Sequence, residues 1–177
     1  MSIKKVLAWI LLLVFIDQIV KIVINSYLLE SRFVIVPPLF EFRPVFNGKG
    51  PYLLSHLLNL NINLNIILIV YFVVLCLIII LYNKVRKAKN NTILLDFTFI
   101  FSAAAYGCAI VGYIFWEKGC LDFIYLKPLF VFDIKDLYSN CFFCLFIIFL
   151  YKQRIRTTKD FVELIKLHDK KERITLK

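Results

Sequence analysis

The sequence predicts an all-α membrane bundle of four transmembrane helices with a small β-rich segment on its outer side. Three observations predict it. Of the 177 residues 61% are hydrophobic and the mean hydropathy is +0.80, whereas a soluble domain is roughly 45–50% apolar. Four apolar runs are present, at about residues 6–23, 66–82 and 94–116, with a last one ending at Tyr151. Each matches the roughly 20 helical residues that cross a hydrocarbon core. The cations are also one-sided: Lys4, Lys5, the 84–89 connector and the tail from Lys152 hold most of the 22. Basic residues mark the cytoplasmic face, so both termini are expected inside, N-in/C-in. The net charge of +10 then reflects topology and attraction to anionic lipid. Nucleic acid is excluded as a partner, because it calls for a basic face on a soluble fold.

The expected helices run over about 6–25, 62–82, 93–116 and 133–152, forming a membrane domain over 1–152. A basic amphipathic cytoplasmic tail follows over 153–177, with Phe161, Leu164, Ile165 and Leu167 set among charges. Lys4 and Lys5 ahead of a leucine-rich stretch also describe a signal peptide. No small-residue cleavage pattern follows, however, and Asp17, Gln18 and Lys21 interrupt the run, so a retained first helix is expected.

Between the first two helices, the segment over about 30–52 is aromatic and β-branched, and Pro37, Pro38 and Pro44 exclude helix. Short strands on the membrane surface fit it. Asn47-Gly48-Lys49-Gly50-Pro51 reads as a turn, and Tyr52–Leu60 as a short interfacial helix carrying His56. The short basic inner connector makes helices two and three antiparallel neighbours. Ala103, Ala104, Ala105 and Gly107 allow another backbone to come close to helix three. The five cysteines read as small buried apolar residues. Cys141 and Cys144 have CxxC spacing but no second pair or nearby histidine, so no metal site is expected.

The acids carry the functional signal. Asp17 interrupts the first apolar run, while Asp122, Asp133 and Asp136 precede the last; ionisable groups in or beside hydrocarbon are costly and mark function. Counting back about 20 residues from Lys152 places Asp136 at the outer end of helix four, where the helix dipole favours a carboxylate. Lys21 lies one turn from Asp17 on the same face and can pair with it. Asp122 and Asp133 read as solvated loop or capping residues. Two carboxylates at such a depth can share a proton, one acting as base on water and the other as acid on a carbonyl.

Asp17-Gln18-Ile19-Val20-Lys21 resembles the DQxxK signature of lipoprotein signal peptidase (signal peptidase II), the four-helix aspartic peptidase family of bacterial membranes. Asn47 with Gly48 or Gly50 is similar to that family's Asn-x-Gly element, and Gly119-Cys120-Leu121-Asp122-Phe123-Ile124 to its G-x-V-x-D-F-I segment. Phe132-Asp133-Ile134-Lys135-Asp136 resembles its F-N-x-A-D motif. The resemblance implies a divergent member with Asp136 as one catalytic carboxylate and Asp17, Lys21, Asn47, Gly50 and Asp133 supporting the site. It also implies a G-N-x-x-D-R motif in helix three with the second catalytic aspartate. The corresponding positions hold Val111, Gly112 and Tyr113, none of them acidic. Glu117 and Asp122 are the candidates to replace it.

Three readings follow. The resemblance implies an aspartic endopeptidase acting on lipid-modified prolipoproteins, in contact with membrane lipid, at the outer leaflet of the bacterial cytoplasmic membrane, with no metal or organic cofactor. A catalytically degenerate relative would bind lipoproteins, signal peptides or another membrane protein without cleaving. A small proton-coupled transporter subunit would use Asp17 and Lys21 as a relay.

Overall fold

The structure, a computed structural model, describes residues 1–48, 63–88 and 93–175, with side chains described as far as Arg154. The expected turn beyond Gly48, including Gly50, and the Tyr52–Leu60 segment lie outside the described residues.

Among the described residues, four helices are long and apolar enough to cross a membrane. Helix α1 spans Ile3–Val23 and runs on through a π-helical turn, Ile24–Leu28; α2 spans Leu64–Ala88, α3 Ile93–Phe115 and α4 Ile134–Thr175. Their ends therefore fall a few residues from the expected ones. Over the stretch expected as a basic amphipathic tail from residue 153, α4 continues as helix through Thr175.

Ser2 caps α1, its hydroxyl accepting from the Lys5 amide at 3.3 Å. Helix α3 packs against each of the other three, as its small residues require. Ala103 and Ala104 are buried, and a Cβ added at Gly107 would stand 3.2 Å from Val14 of α1. Tyr82 of α2 stacks on Phe99 of α3 with centroids 3.9 Å apart. At that end Asp96, fully buried, accepts a 2.7 Å hydrogen bond from Tyr82, a buried acid not singled out in the sequence. Outward faces carry exposed Leu11, Phe72 and Ile147, as lipid-facing surfaces do. Cys141 and Cys144 belong to this exposed set, contrary to the expectation of burial, whereas Cys108 and Cys120 are buried. On a membrane helix the outside is as apolar as the core, so hydrophobicity alone does not say which face a small residue takes.

The β-rich segment proves larger than expected. Strands β1 (Phe33–Val36) and β2 (Phe40–Asn47) are joined by β3 (Cys120–Leu126) and β4 (Phe130–Phe132) in one antiparallel sheet of order β1-β2-β3-β4. The register sets Val45 opposite Asp122 and Asn47 opposite Cys120. The run Cys120–Leu126, expected as a loop, is a strand because β2 supplies its partner. Ile24, Phe42, Leu121 and Phe123 form the core that anchors the sheet to the end of α1. The sheet thus leads directly from α3 and into α4, which fixes where Asp122 and the start of α4 meet.

Candidate active site

A backbone turn starts the site. At the head of α4 the Asp136 amide donates to Asp133 Oδ1 at 3.3 Å, and the Asp133 amide donates to Asp136 Oδ2 at 3.1 Å. This is a reciprocal capping arrangement with aspartates in both positions. Capping was expected of Asp133 and is observed, but solvation is not: Asp133 is fully buried and Asp122 is 3% exposed.

Around this cap, carboxylates and ammonium groups alternate. Lys21 Nζ lies 2.8 Å from Asp17 Oδ2 and 2.6 Å from Asp133 Oδ2. The ammonium of Lys135 lies 2.9 Å from Asp133 Oδ1, 2.9 Å from Asp122 Oδ1 and 3.5 Å from Asp136 Oδ2. Asn47, at the end of β2, donates to Asp122 Oδ2 at 3.0 Å. Asp17 also accepts from Gln18 at 2.8 Å, and Gln18 accepts from the Trp116 indole at 3.3 Å. One carboxylate oxygen each from Asp122, Asp133 and Asp136 falls within 4.8 Å of the others. Asp17 and Asp136, far apart in sequence, therefore belong to one cluster, linked through Lys21 and Asp133.

The cluster is graded. Asp17, Lys21 and Asp133 have no exposed side-chain surface, Lys135 has 13%, and Asp136 has 43%. The inner members pin α1 to the head of α4, and Asp136 is the most exposed of the cluster. Burial of a carboxylate without compensation is costly, and here two lysines face four aspartates. Burial pushes the Asp122 carboxyl above the ordinary aspartate range, although Lys135 acts against it. Burial pushes Asp133 the same way, but Lys135 and Lys21 outweigh it and hold that carboxyl below its ordinary value. Two ammonium charges against four carboxylates leave the cluster acid-rich, with Lys135 shared at 2.9 Å between Asp122 and Asp133. Asp122, Asp133 and Asp136 could also offer oxygens to a cation, but the Lys135 ammonium stands among them.

Of the candidates for the second acid, the structure brings Asp122 to Asp136; Glu117 lies exposed in the turn after α3. The three helix-three positions have other occupations. A Cβ added at Gly112 would meet Cys120 Sγ at 2.7 Å, so this position has no room for a carboxylate. Tyr113 packs on Tyr71 at 6.0 Å between centroids, and Val111 borders an apolar groove between α1 and α2. Cys120 fills the space beside Gly112, and burial pushes its thiol up to about 11, so it stays protonated. Lys135 is the participant that sequence reasoning missed. Its signal was its place between acids, Asp133 and Asp136, in the first turn of a helix.

A four-helix membrane bundle with a cluster of carboxylates and ammonium groups under a small sheet defines the class, a membrane protein of several spans with an acid-rich site at one end. The model of the signal peptidase (SPase) II family matches residues 9–152, and the chain belongs to that family. No match is found among curated proteins. Two solved structures described as bacterial membrane enzymes, obtained by the in meso method at 2.3 Å and 1.9 Å resolution, share the fold. The first has a TM-score of 0.67 at 17% identity, covering 85% of this chain and 89% of that one. The second has a TM-score of 0.68 at 18% identity, covering 84% and 93%. Family and spans together make this a multi-pass bacterial membrane protein with a lipoprotein signal peptidase-like function.

Proposed function

We propose that this protein is a membrane aspartic endopeptidase that cuts lipid-modified prolipoproteins, with Asp122 and Asp136 as the catalytic pair. The observation that carries the reading is their convergence on one ammonium, 2.9 Å and 3.5 Å away, in a chain of the signal peptidase II family. One oxygen of each carboxylate lies within 4.8 Å of the other, and like charges that close do not both ionise without cost, so the reading gives the pair one proton between them. The ionised carboxylate takes a proton from a water as its oxygen attacks the scissile carbonyl, and the protonated one gives its proton to the carbonyl oxygen. The tetrahedral species then collapses, with a proton passing to the departing amide nitrogen. The products are the signal peptide with a new carboxylate and the lipoprotein with a free amino terminus. No metal is needed in this sequence.

Supporting roles follow from contacts. Asn47 orients Asp122 through its 3.0 Å hydrogen bond, and Asp17 with Lys21 fixes Asp133 and thereby the cap that aims Asp136. Strand β1 is exposed along its whole length and is an edge on which an extended peptide can add as a further strand. The acyl chains stay in hydrocarbon while the peptide reaches the site. With the basic connector and tail on the cytoplasmic side, the sheet and the carboxylates lie at the outer leaflet.

The test uses the full chain purified in detergent and a lipidated prolipoprotein peptide. Asp136→Asn and Asp122→Asn are each expected to lower kcat by roughly a thousandfold or more, because members of an acid–base pair act as a unit. Cleavage that survives either substitution rejects the assignment. The second reading, a relative that binds lipopeptide without turnover, is favoured by one observation: the Lys135 ammonium occupies the space between the carboxylates. It is distinguished by saturable lipopeptide binding with no product at stoichiometric enzyme.

A further inference from the structure

Lys135 stands at the alanine of the F-N-x-A-D pattern, and Asp133 at its asparagine. The two replacements add one positive and one negative charge, and the structure joins them directly, with Lys135 Nζ 2.9 Å from Asp133 Oδ1. The same ammonium donates to Asp122 at 2.9 Å and lies 3.5 Å from Asp136. A water that is to be shared by the two carboxylates needs this same space. Asp133 is held at Oδ2 by Lys21 at 2.6 Å and at Oδ1 by the Asp136 amide of the helix cap, so it is a fixed berth. Lys135 has a flexible four-carbon stem and 13% exposure at the rim.

We propose that Lys135 is an internal gating cation of the catalytic pair, and that Asp133 is the berth to which it withdraws when substrate enters. With Lys135 on Asp122 and Asp136 the ammonium takes the place of the shared proton in offsetting one of the two charges, and the space is closed to water. With Lys135 on Asp133 alone, the pair is left to share its proton. The gate is a positioning device and contributes no atom to the reaction. It rests on the peptidase reading above.

The test compares the native chain with Asp133→Asn, Lys135→Ala and the double variant Asp133→Asn/Lys135→Ala, and with Lys135→Met, which keeps the stem volume without the charge. Two readouts are taken: cleavage of the lipidated peptide, and binding of the same peptide with a secondary alcohol in place of the scissile carbonyl. Removing the berth alone leaves the cation on the pair, so Asp133→Asn is expected to cleave and bind at least about tenfold worse than native. Apparent affinity falls in proportion to the competent fraction. The double variant is expected to recover at least about tenfold in cleavage and binding over Asp133→Asn, and Lys135→Met to bind the alcohol more tightly than Asp133→Asn by a similar factor.

The kcat and KM responses separate a gate from a structural role. Gating moves the alcohol affinity and KM together, whereas a fold defect lowers the folded fraction and leaves both unchanged in what remains. Cleavage lost on removal of Lys135 as completely as on Asp136→Asn overturns the proposal, as does alcohol binding of equal strength in all the proteins. Failure of the peptidase reading looks different: none of the proteins cleaves, and the order of alcohol affinities alone then decides the gate.

Discussion

Lys21 has no exposed side-chain surface and sits between two carboxylates, Asp17 and Asp133. Removing it would take away the Asp17 ion pair and leave Asp133 with Lys135 alone; breaking a buried pair from one side typically costs roughly 3–5 kcal/mol. Lys21→Met is therefore expected to lower the melting temperature in detergent sharply, while Lys21→Arg, which keeps the charge, loses less. Asp133, at the head of α4, and Asp122, on β3, titrate with opposite signs. Asp133 has a depressed folded value, so its stabilisation is present above the ordinary value of 3.8 and is lost as pH falls below that toward the depressed one. Asp133→Asn should be less stable than native at neutral pH, with the gap closing in acid. Asp122 has a raised folded value, so its ionisation opposes folding. That penalty is absent well below 3.8 and complete once pH exceeds the raised value. Asp122→Asn should gain stability relative to native as pH rises, while losing cleavage. Thermal melts across pH check both signs. The pairing of Asp17 with Lys21 was legible in the sequence because one helical turn fixes it. The contact of Lys21 with Asp133, over a hundred residues away, was not.

Among the elements, the junction between α3 and β3 carries the tightest constraint. Gly119 has φ of 89°, and a Cβ there would stand 2.3 Å from the Asn47 carbonyl oxygen. Gly119→Ala must move β3 off β2, displacing Asp122 from Asn47. The strained backbone costs on the order of 1–3 kcal/mol, so a lowered melting temperature together with reduced kcat is expected; unchanged kinetics would show that the register of β2 on β3 does not position Asp122. Strands β1 and β2 were readable from β-branched and aromatic runs broken by prolines. Strand β3 was not, although Phe123, Ile124 and Tyr125 carry the same signal. It was masked by its closeness to the end of an apolar helix, and strand pairing depends on a distant partner.

For the whole molecule, the site lies at one end of the bundle and the long extension of α4 at the other. Asp136 and Arg154 are about 27 Å apart at helical rise, and the family match ends at residue 152. A chain ending at Arg154 is expected to fold and to cleave the lipidated peptide at a rate within about threefold of the full chain in detergent, where the lipid attraction of a basic tail is absent. A large loss would assign the tail a part in the bundle itself.

Length and hydropathy determined the four crossings, because a bilayer sets the number of apolar residues that a span requires. The spacing of Asp17 from Lys21 and the placement of Asp133 and Asp136 at a helix start were likewise local and therefore visible. Which acid meets Asp136 was decided only by tertiary structure. A sheet assembled from two distant segments turns Asp122 inward and leaves Glu117 in the exposed turn. The position of Lys135 among three carboxylates was decided the same way, since electrostatic compensation in a buried cluster depends on distances that no spacing along the chain encodes.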